Sequence, residues 1–284
     1  MDKSSVSKKW AGVVGFPTRQ SISPLIFEYL SRKNKIPLTY ERMDFTPRKL
    51  RYAIAQMREK SFVGCNVTIP HKQNVLKALD RLSPEVCRIG AANVIRRRGS
   101  ELKGFNTDVF GIEQTFAGHQ IQSKGKTAII FGAGGAARAV AYYLGRSQIK
   151  EVGIVNRSRT RARVLIKEFS RLFPKSRFYL SIGEIPRADI YVQATSLGGL
   201  GFSKESPISK LNGELSGAFA FDVVYRPEWT PFLKDARRLK MKTAGGLDML
   251  IWQALKTWEI WFDRLDNREK QYFELKRKLR RRFK

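Results

Sequence analysis

The sequence predicts an α/β protein in two domains, each built on a mostly parallel sheet with helices on its faces. Three observations carry that expectation. Apolar runs of strand length alternate with helical patterns from the start of the chain, an order that links parallel strands through helices. A glycine-rich stretch, AIIFGAGGAARA from Ala128 to Ala139, puts its glycines between a strand-length run ending at Phe131 and helical spacing over Ala136 to Leu144. A length of 284 residues exceeds one typical domain and suits two, each with its own core.

In chain order, Trp10 to Val14 reads as a strand. Ser23-Pro24 followed by LIFEYL reads as a helix with Ser23 as its cap and proline in its first turn. Thr39 to Phe45 alternates as a strand does, Thr46-Pro47 opens a second helix, and Ser61 to Thr68 is a strand ending at Pro70. A helix, VFGIEQTF, follows Asp108, and a polar loop from Gly118 to Lys126 leads to the glycine turn. Further strands fit Glu151 to Asn156, Arg177 to Leu180, Asp189 to Ala194, Phe219 to Tyr225 and Met241 to Ala244. Leu250, Ile251, Ala254, Leu255, Trp258, Trp261, Phe262 and Leu265 form one apolar helical stripe that packs on a core. Leu275, Leu279 and Phe283 continue that spacing in a tail whose charge density predicts a solvated surface helix or disorder, dispensable for catalysis.

Composition narrows the function classes. No run of about 18 apolar residues occurs, and MDKSSVSKKW lacks the apolar centre of a signal peptide, so a cytoplasmic protein without membrane contact is expected. Cys65, Cys87, His71 and His119 are too few and too scattered for a metal site or a disulfide framework. The formal charge of +29 raises nucleic acid as a partner. Lysine and arginine, however, are spread along the whole chain and condense only in LKRKLRRRFK, and such a field attracts anionic substrates and cofactor phosphates as well.

Gly132, Gly134 and Ala137 occupy the small-residue positions of G-x-G-x-x-[GA]. The first makes the tight turn, the second admits a pyrophosphate to the backbone, and the third packs helix on strand. Free amides at the helix start then face the phosphates. The next strand ends in Asn156-Arg157, with Arg159, Arg161 and Arg163 behind it, where NAD enzymes usually place an acid. Guanidinium groups pair with a 2′-phosphate, so the pattern points to NADP; a solvated basic helix start is the structural alternative. Lys72 after NVTIPH and Asp108 in GFNTD would each, taken alone, pass as a surface lysine or a dipole-favoured helix start. The Asn and Thr residues that interrupt the apolar runs around them are not required by a plain turn.

Taken in order, Gly15-Phe16-Pro17 with Ser21-Ile22-Ser23-Pro24, GCNVTIPHK over Gly64 to Lys72, GAAN over Gly90 to Asn93, GFNTD over Gly104 to Asp108, GAGGAARA, Asn156-Arg157-Ser158, Ala194-Thr195-Ser196, FDVVY over Phe221 to Tyr225 and Gly246 to Gln253 resemble the shikimate dehydrogenase family. The match runs from about Trp10 to about Trp261. It implies reversible NADPH-dependent reduction of 3-dehydroshikimate to shikimate, on the way to aromatic amino acids. It also implies an N-terminal substrate domain, about residues 1–108 with 243–284 returning to it, and a Rossmann-like NADP domain over 109–242.

By the same resemblance Ser21 and Ser23 would hold the substrate carboxylate. Thr68, Asn93, Asp108 and Gln253 would bond ring hydroxyls with Tyr225 beside them, and Lys72 and Asp108 would be the catalytic pair. Gly132, Ala133, Gly134, Gly135 and Ala136 would carry the pyrophosphate, and Asn156, Arg157, Ser158 and Arg161 the adenosine phosphate. Thr195 would lie along the cofactor, and Val223 and Gly246 at its nicotinamide end. Chemically, hydride addition to a ketone leaves an alkoxide too basic to persist, and a protonated Lys72 oriented by Asp108 could supply its proton. Ser23 could cap its helix while the same helix start receives a carboxylate.

Val94, Gln193 and Gly199 depart from the usual Thr, Asn and Met of the family's motifs. A quinate or quinate/shikimate dehydrogenase is the nearest rival reading and a methylenetetrahydrofolate dehydrogenase-like enzyme a more distant one. A basic nucleic-acid-binding protein on an inactive Rossmann scaffold is the rival of a different class. A monomer and a homodimer are equally compatible with the sequence.

Overall fold

The computed structural model describes residues 9–283; the side chain of Phe283 lies outside the described residues. The chain divides into two compact units, one running through Thr107 and including Gln253–Arg277, the other Asp108–Trp252 with the residues from Lys278 on.

In the first unit β1 (Lys9–Gly15), α1 (Ser23–Lys33), β2 (Leu38–Asp44), α2 (Leu50–Gln56) and β3 (Phe62–Val67) alternate as expected. The turn Asn74–Ala78, β4 (Arg81–Leu82), α3 (Pro84–Ile89), β5 (Val94–Arg98) and β6 (Glu101–Phe105) complete its N-terminal part. The sheet order is β2-β1-β3-β5-β6-β4. β1 runs parallel to β2 and β3, whereas β5 is antiparallel to both β3 and β6, so this sheet is mixed. The β5–β6 hairpin turns at Gly99, whose φ of +60 suits glycine, and charged side chains break up its strand pattern in the sequence. One face of the sheet closes over a core that includes Val14, Ile54, Phe62, Cys65, Val67 and Ile95. Gly64 is required beneath Trp261, because a Cβ there would lie 2.4 Å from the indole nitrogen that donates to the Ile95 carbonyl.

The second unit holds α4 (Asp108–Gly118), β7 (Thr127–Phe131), α5 (Gly135–Arg146), β8 (Glu151–Val155), α6 (Arg159–Leu172), β9 (Arg177–Leu180), β10 (Ile190–Gln193), β11 (Phe219–Asp222), α7 (Pro231–Arg238) and β12 (Lys242–Ala244). Its sheet is parallel throughout, in the order β12-β11-β10-β7-β8-β9. The order reverses at β7, and in such sheets a ligand binds outside the strand ends at that switch point.

Two helices close the chain, α8 (Leu247–Phe262) and α9 (Arg268–Phe283). The return to the first unit covers Gln253–Arg277 where 243–284 is expected: β12 pairs with β11 in the second unit, and the residues up to Trp252 and from Lys278 on group with that unit. A second correction concerns the basic tail, which is neither a solvated helix nor disordered. Gln271, Tyr272, Leu275 and Leu279 are buried. Gln271 exchanges amide bonds of 3.2 and 3.1 Å with Asn34, and Glu274 accepts from the Tyr29 hydroxyl and the Lys33 ammonium. The arginines that dominate its composition lie on the other face and hide this stripe from a composition-based reading.

Candidate active site

The glycine turn joins β7 to α5. Gly132 has φ +121, and a Cβ there would lie 3.0 Å from the Ala194 carbonyl oxygen, so only glycine fits. Gly134 is the N-cap of α5, exposed, and a Cβ there would meet nothing within 4 Å. Ala137 is fully buried behind it. No side chain caps α5 and no acid stands in its first turn, so the helix start keeps its positive end toward the open side of Gly134. Ala133, Gly135 and Ala136 complete this turn, and the cradle fits a pyrophosphate.

At the end of β8, Asn156 donates to the Ser158 carbonyl at 2.8 Å, and Ser158 caps α6 through the Arg161 amide. Arg157 and Arg161 are exposed at that helix start, whose first turn has no acid. Arg138, by contrast, is buried against Glu168 and the Phe169 ring. Gln193 is fully buried, and its carbonyl oxygen accepts from the Thr195 amide at 3.0 Å and hydroxyl at 2.9 Å, so this departure from the family motif organises the Thr195 turn. A Cβ at Gly246 would lie 2.2 Å from the Val223 carbonyl oxygen, and the Gly246 amide donates to Val224 at 3.1 Å. Below them Asp222 accepts from Thr230 and the Val224 amide; burial nevertheless pushes its carboxyl up to about 7. Tyr225 follows, half-buried.

In the first unit the Ser21 and Ser23 hydroxyls lie 3.1 Å apart. Ser23 is not the helix cap. Ile22 occupies the N-cap position without a side-chain bond, and Ser23, already helical, donates its amide to the Ser21 hydroxyl at 3.2 Å. Arg42 on β2 donates to the Ser21 carbonyl at 3.2 and 2.8 Å, a clamp for which the sequence carries no signal. Thr46-Pro47 likewise makes a turn, and α2 begins only at Leu50.

Backbone bonds draw the NVTIPHK and GAAN segments together. Ala92 donates to the Lys72 carbonyl at 2.8 Å, Val67 to the Asn93 carbonyl at 2.7 Å, and Thr68 to Val14 at 2.8 Å. A Cβ on Gly15 would sit 2.4 Å from the Thr68 methyl, which explains the glycine. Asn93 and Gln253, both buried, meet through Asn93 Nδ2 and Gln253 Oε1 at 3.2 Å. Thr107 lies between them, its amide donating to Asn93 Oδ1 at 2.7 Å and its hydroxyl accepting from Asn93 Nδ2 at 3.0 Å. Asp108, the next residue, is buried at the first position of α4 in the second unit.

Sequence reasoning assigned no role to Asn66, Thr107 and Thr257, which complete this network. The first two lie inside the quoted motifs. Thr257 is a polar residue in an apolar stripe, one helical turn from Gln253, and that break in the pattern was the available signal.

A parallel sheet of this order with a glycine turn at its switch point, accompanied by a unit whose buried amides are preset, is the arrangement of a dinucleotide-dependent oxidoreductase. The family model for the shikimate dehydrogenase substrate binding domain matches residues 13–95, and that for shikimate / quinate 5-dehydrogenase matches residues 115–224. Shikimate dehydrogenase (NADP(+)) of Symbiobacterium thermophilum is 34% identical over 89% of this chain and 88% of its own. The crystal structure of shikimate 5-dehydrogenase from Thermus thermophilus in complex with NADP(H) and shikimate is 31% identical, with a TM-score of 0.77 over 95% of this chain and 99% of that one. The 5-ketofructose reductase of a Gluconobacter strain aligns at 27% identity and a TM-score of 0.78, covering 95% of this chain and 98% of its own. The chain belongs to the shikimate dehydrogenase family.

Proposed function

We propose that the protein catalyses the reversible NADPH-dependent reduction of 3-dehydroshikimate to shikimate. The observation that supports this reading is the junction of the Asn93 segment with Gln253, beside the Lys72 main chain, which presents buried amides suited to a hydroxylated ring. Convergent hydrogen-bonding groups discriminate strongly, because a substrate lacking the matching hydroxyl leaves them unpaired.

NADPH, when bound, supplies the hydride. Gly132 to Ala136 would hold its pyrophosphate, Asn156, Arg157, Ser158 and Arg161 its 2′-phosphate, and Thr195, Val223 and Gly246 the remainder. Ser21 and Ser23 bind the substrate carboxylate; Thr68, Asn93, Gln253 and Tyr225 orient the ring. The Lys72 ammonium gives its Nζ proton to the oxygen that forms from the ketone, and Asp108 holds lysine and hydroxyl in line. In the reverse direction Lys72, neutral, takes the hydroxyl proton.

Oxidation of NADPH in the presence of 3-dehydroshikimate tests the reading, with NADH as the cofactor control. Turnover of quinate with NADP distinguishes the broader specificity that the family description also names. The 5-ketofructose reductase relative makes that ketone the second substrate to assay.

A further inference from the structure

The substrate-binding amides of the first unit do not stand alone. Four buried or half-buried side chains behind them, Tyr40, Asn66, Thr257 and Thr107, form one hydrogen-bonded chain. The Tyr40 hydroxyl donates to Asn66 Oδ1 at 2.8 Å, and Asn66 Nδ2 donates to Thr257 Oγ1 at 3.3 Å. Thr257 donates to the backbone carbonyl of Gln253 at 2.8 Å, and its oxygen lies 3.3 Å from the Thr107 hydroxyl. That hydroxyl lies 3.3 Å from both Asn93 Oδ1 and Gln253 Oε1.

Proton counting gives this chain a direction. Thr257 has a single hydroxyl proton, and the Gln253 carbonyl takes it, so toward Asn66 and Thr107 its oxygen can only accept. Tyr40 at the far end donates, which settles Asn66: oxygen toward the tyrosine, nitrogen toward Thr257. At the near end Gln253 Oε1 receives Asn93 Nδ2, so the oxygen of the Gln253 amide belongs to the network and its NH2 is the end that donates beyond it.

We propose that Thr257 is a positioning residue for the substrate, which by linking Asn66, Thr107 and the Gln253 backbone holds the Gln253 amide with its donor end toward a ring hydroxyl oxygen. The inference rests on the assignment of Asn93 and Gln253 to the substrate. Without the Thr257 hydroxyl, Asn66 Nδ2 and the Thr107 hydroxyl lose their acceptor and the Gln253 carbonyl loses a side-chain donor, so the Thr107 hydroxyl that receives Asn93 Nδ2 beside Gln253 Oε1 is no longer fixed from behind. Buried polar groups tolerate such a loss poorly, and it is felt wherever the network is read out.

Steady-state kinetics of the full chain test this with Thr257→Val, which keeps the shape and removes the hydroxyl. KM for shikimate should rise about five- to twentyfold, with KM for NADP unchanged and kcat within about threefold. Thr257→Ser, which restores the hydroxyl, should return KM to within about twofold. An unchanged KM for shikimate, or equal rises for shikimate and NADP, would overturn the proposal. If Thr257→Val does not fold, Tyr40→Phe decides, since it removes the outermost hydroxyl and keeps the ring that stacks on Phe27: a rise confined to shikimate supports the proposal and an unchanged KM overturns it. Asn93→Ala and Gln253→Ala separate the two levels. If both raise KM for shikimate while Thr257→Val does not, only the positioning role fails. If neither raises it, the substrate assignment fails and the role of Thr257 with it.

Discussion

The regions proposed to hold substrate and cofactor would recognise them by opposite physical means. Around Asn93 and Gln253 the polar groups are buried and hydrogen-bonded to one another in advance. At the start of α6, Arg157 and Arg161 stand in water beside a helix end without acids. The first arrangement selects a pattern of hydroxyls, is indifferent to salt, and fails abruptly when one member is lost. The second selects a charge, adapts its geometry, and weakens as ionic strength rises. A hydroxylated ring differs from its analogues by single oxygens, whereas NADP differs from NAD by a whole phosphate, so each means suits its ligand.

The comparison breaks first if the buried region does not depend on its support. α9 buries Tyr272, Leu275 and Leu279 and bonds α1 through Gln271 and Glu274. At about 1.5–3 kcal/mol per buried side chain, truncation after Asn267 removes on the order of 5 kcal/mol, comparable with the stability of a whole domain. Thermal unfolding should therefore show a large drop in Tm or an aggregated product. A truncated protein with the full-length Tm would make α9 a decoration.

Lys72→Ala comes next. It should lower kcat by about 10² to 10⁴, the span for loss of a general acid or base, with a smaller change in KM. Asp108→Asn should act comparably, and the double variant far less than additively, if the two work as one unit. Near-normal turnover in Lys72→Ala with NADPH still bound would assign the proton to another group.

The cofactor unit has its own buried polar group, and it separates burial from recognition. Asp222, held up to about 7 by burial, binds a proton more tightly folded than unfolded. Its stabilising effect is complete below about pH 4 and is lost as pH rises through about 7, a window worth on the order of a few kcal/mol. Asp222→Asn should flatten that slope in denaturation curves taken from pH 4 to 8; an unchanged slope would mean that the carboxyl is ionised throughout.

The local signals in the sequence were those with local causes. Glycines at a strand-to-helix turn, arginines where an acid is usual, and alternating elements are each explained by a few neighbouring residues, and the parallel second sheet follows from them. The network through Thr257 was not legible, because it joins β2, β3, the loop after β6 and α8 and exists only once they pack. The Ser23 cap failed for a subtler reason, since Ser21, two residues earlier, already offers an oxygen to the Ser23 amide. The arginines of α9 concealed its buried stripe because composition averages over faces that a helix separates.

Arg157→Ala tests the exposed side of the comparison. A charge-assisted contact to the 2′-phosphate contributes on the order of 1.5–3 kcal/mol, so KM for NADP should rise about ten- to a hundredfold with NAD kinetics nearly unchanged. The wild-type preference for NADP should also shrink with added salt. A preference that survives both the substitution and salt would place its origin in a buried contact instead.

The smallest effect distinguishes the two serines. Both should raise KM for shikimate far more than they lower kcat when replaced by alanine, because a carboxylate remote from the reacting carbon is held alike in ground and transition states. Their stabilities should differ. Ser21 accepts the Ser23 amide at the mouth of α1, so Ser21→Ala leaves a helix-start donor without that partner and should cost about 0.5–1 kcal/mol. Ser23→Ala removes no cap and leaves the amide bond to Ser21 intact, so its Tm should stay near wild type. Urea titrations of the two variants measure the difference directly. Equal losses would mean that the hydroxyl pair stabilises the loop as a unit, and Ser23 would then owe its place to structure as much as to the substrate.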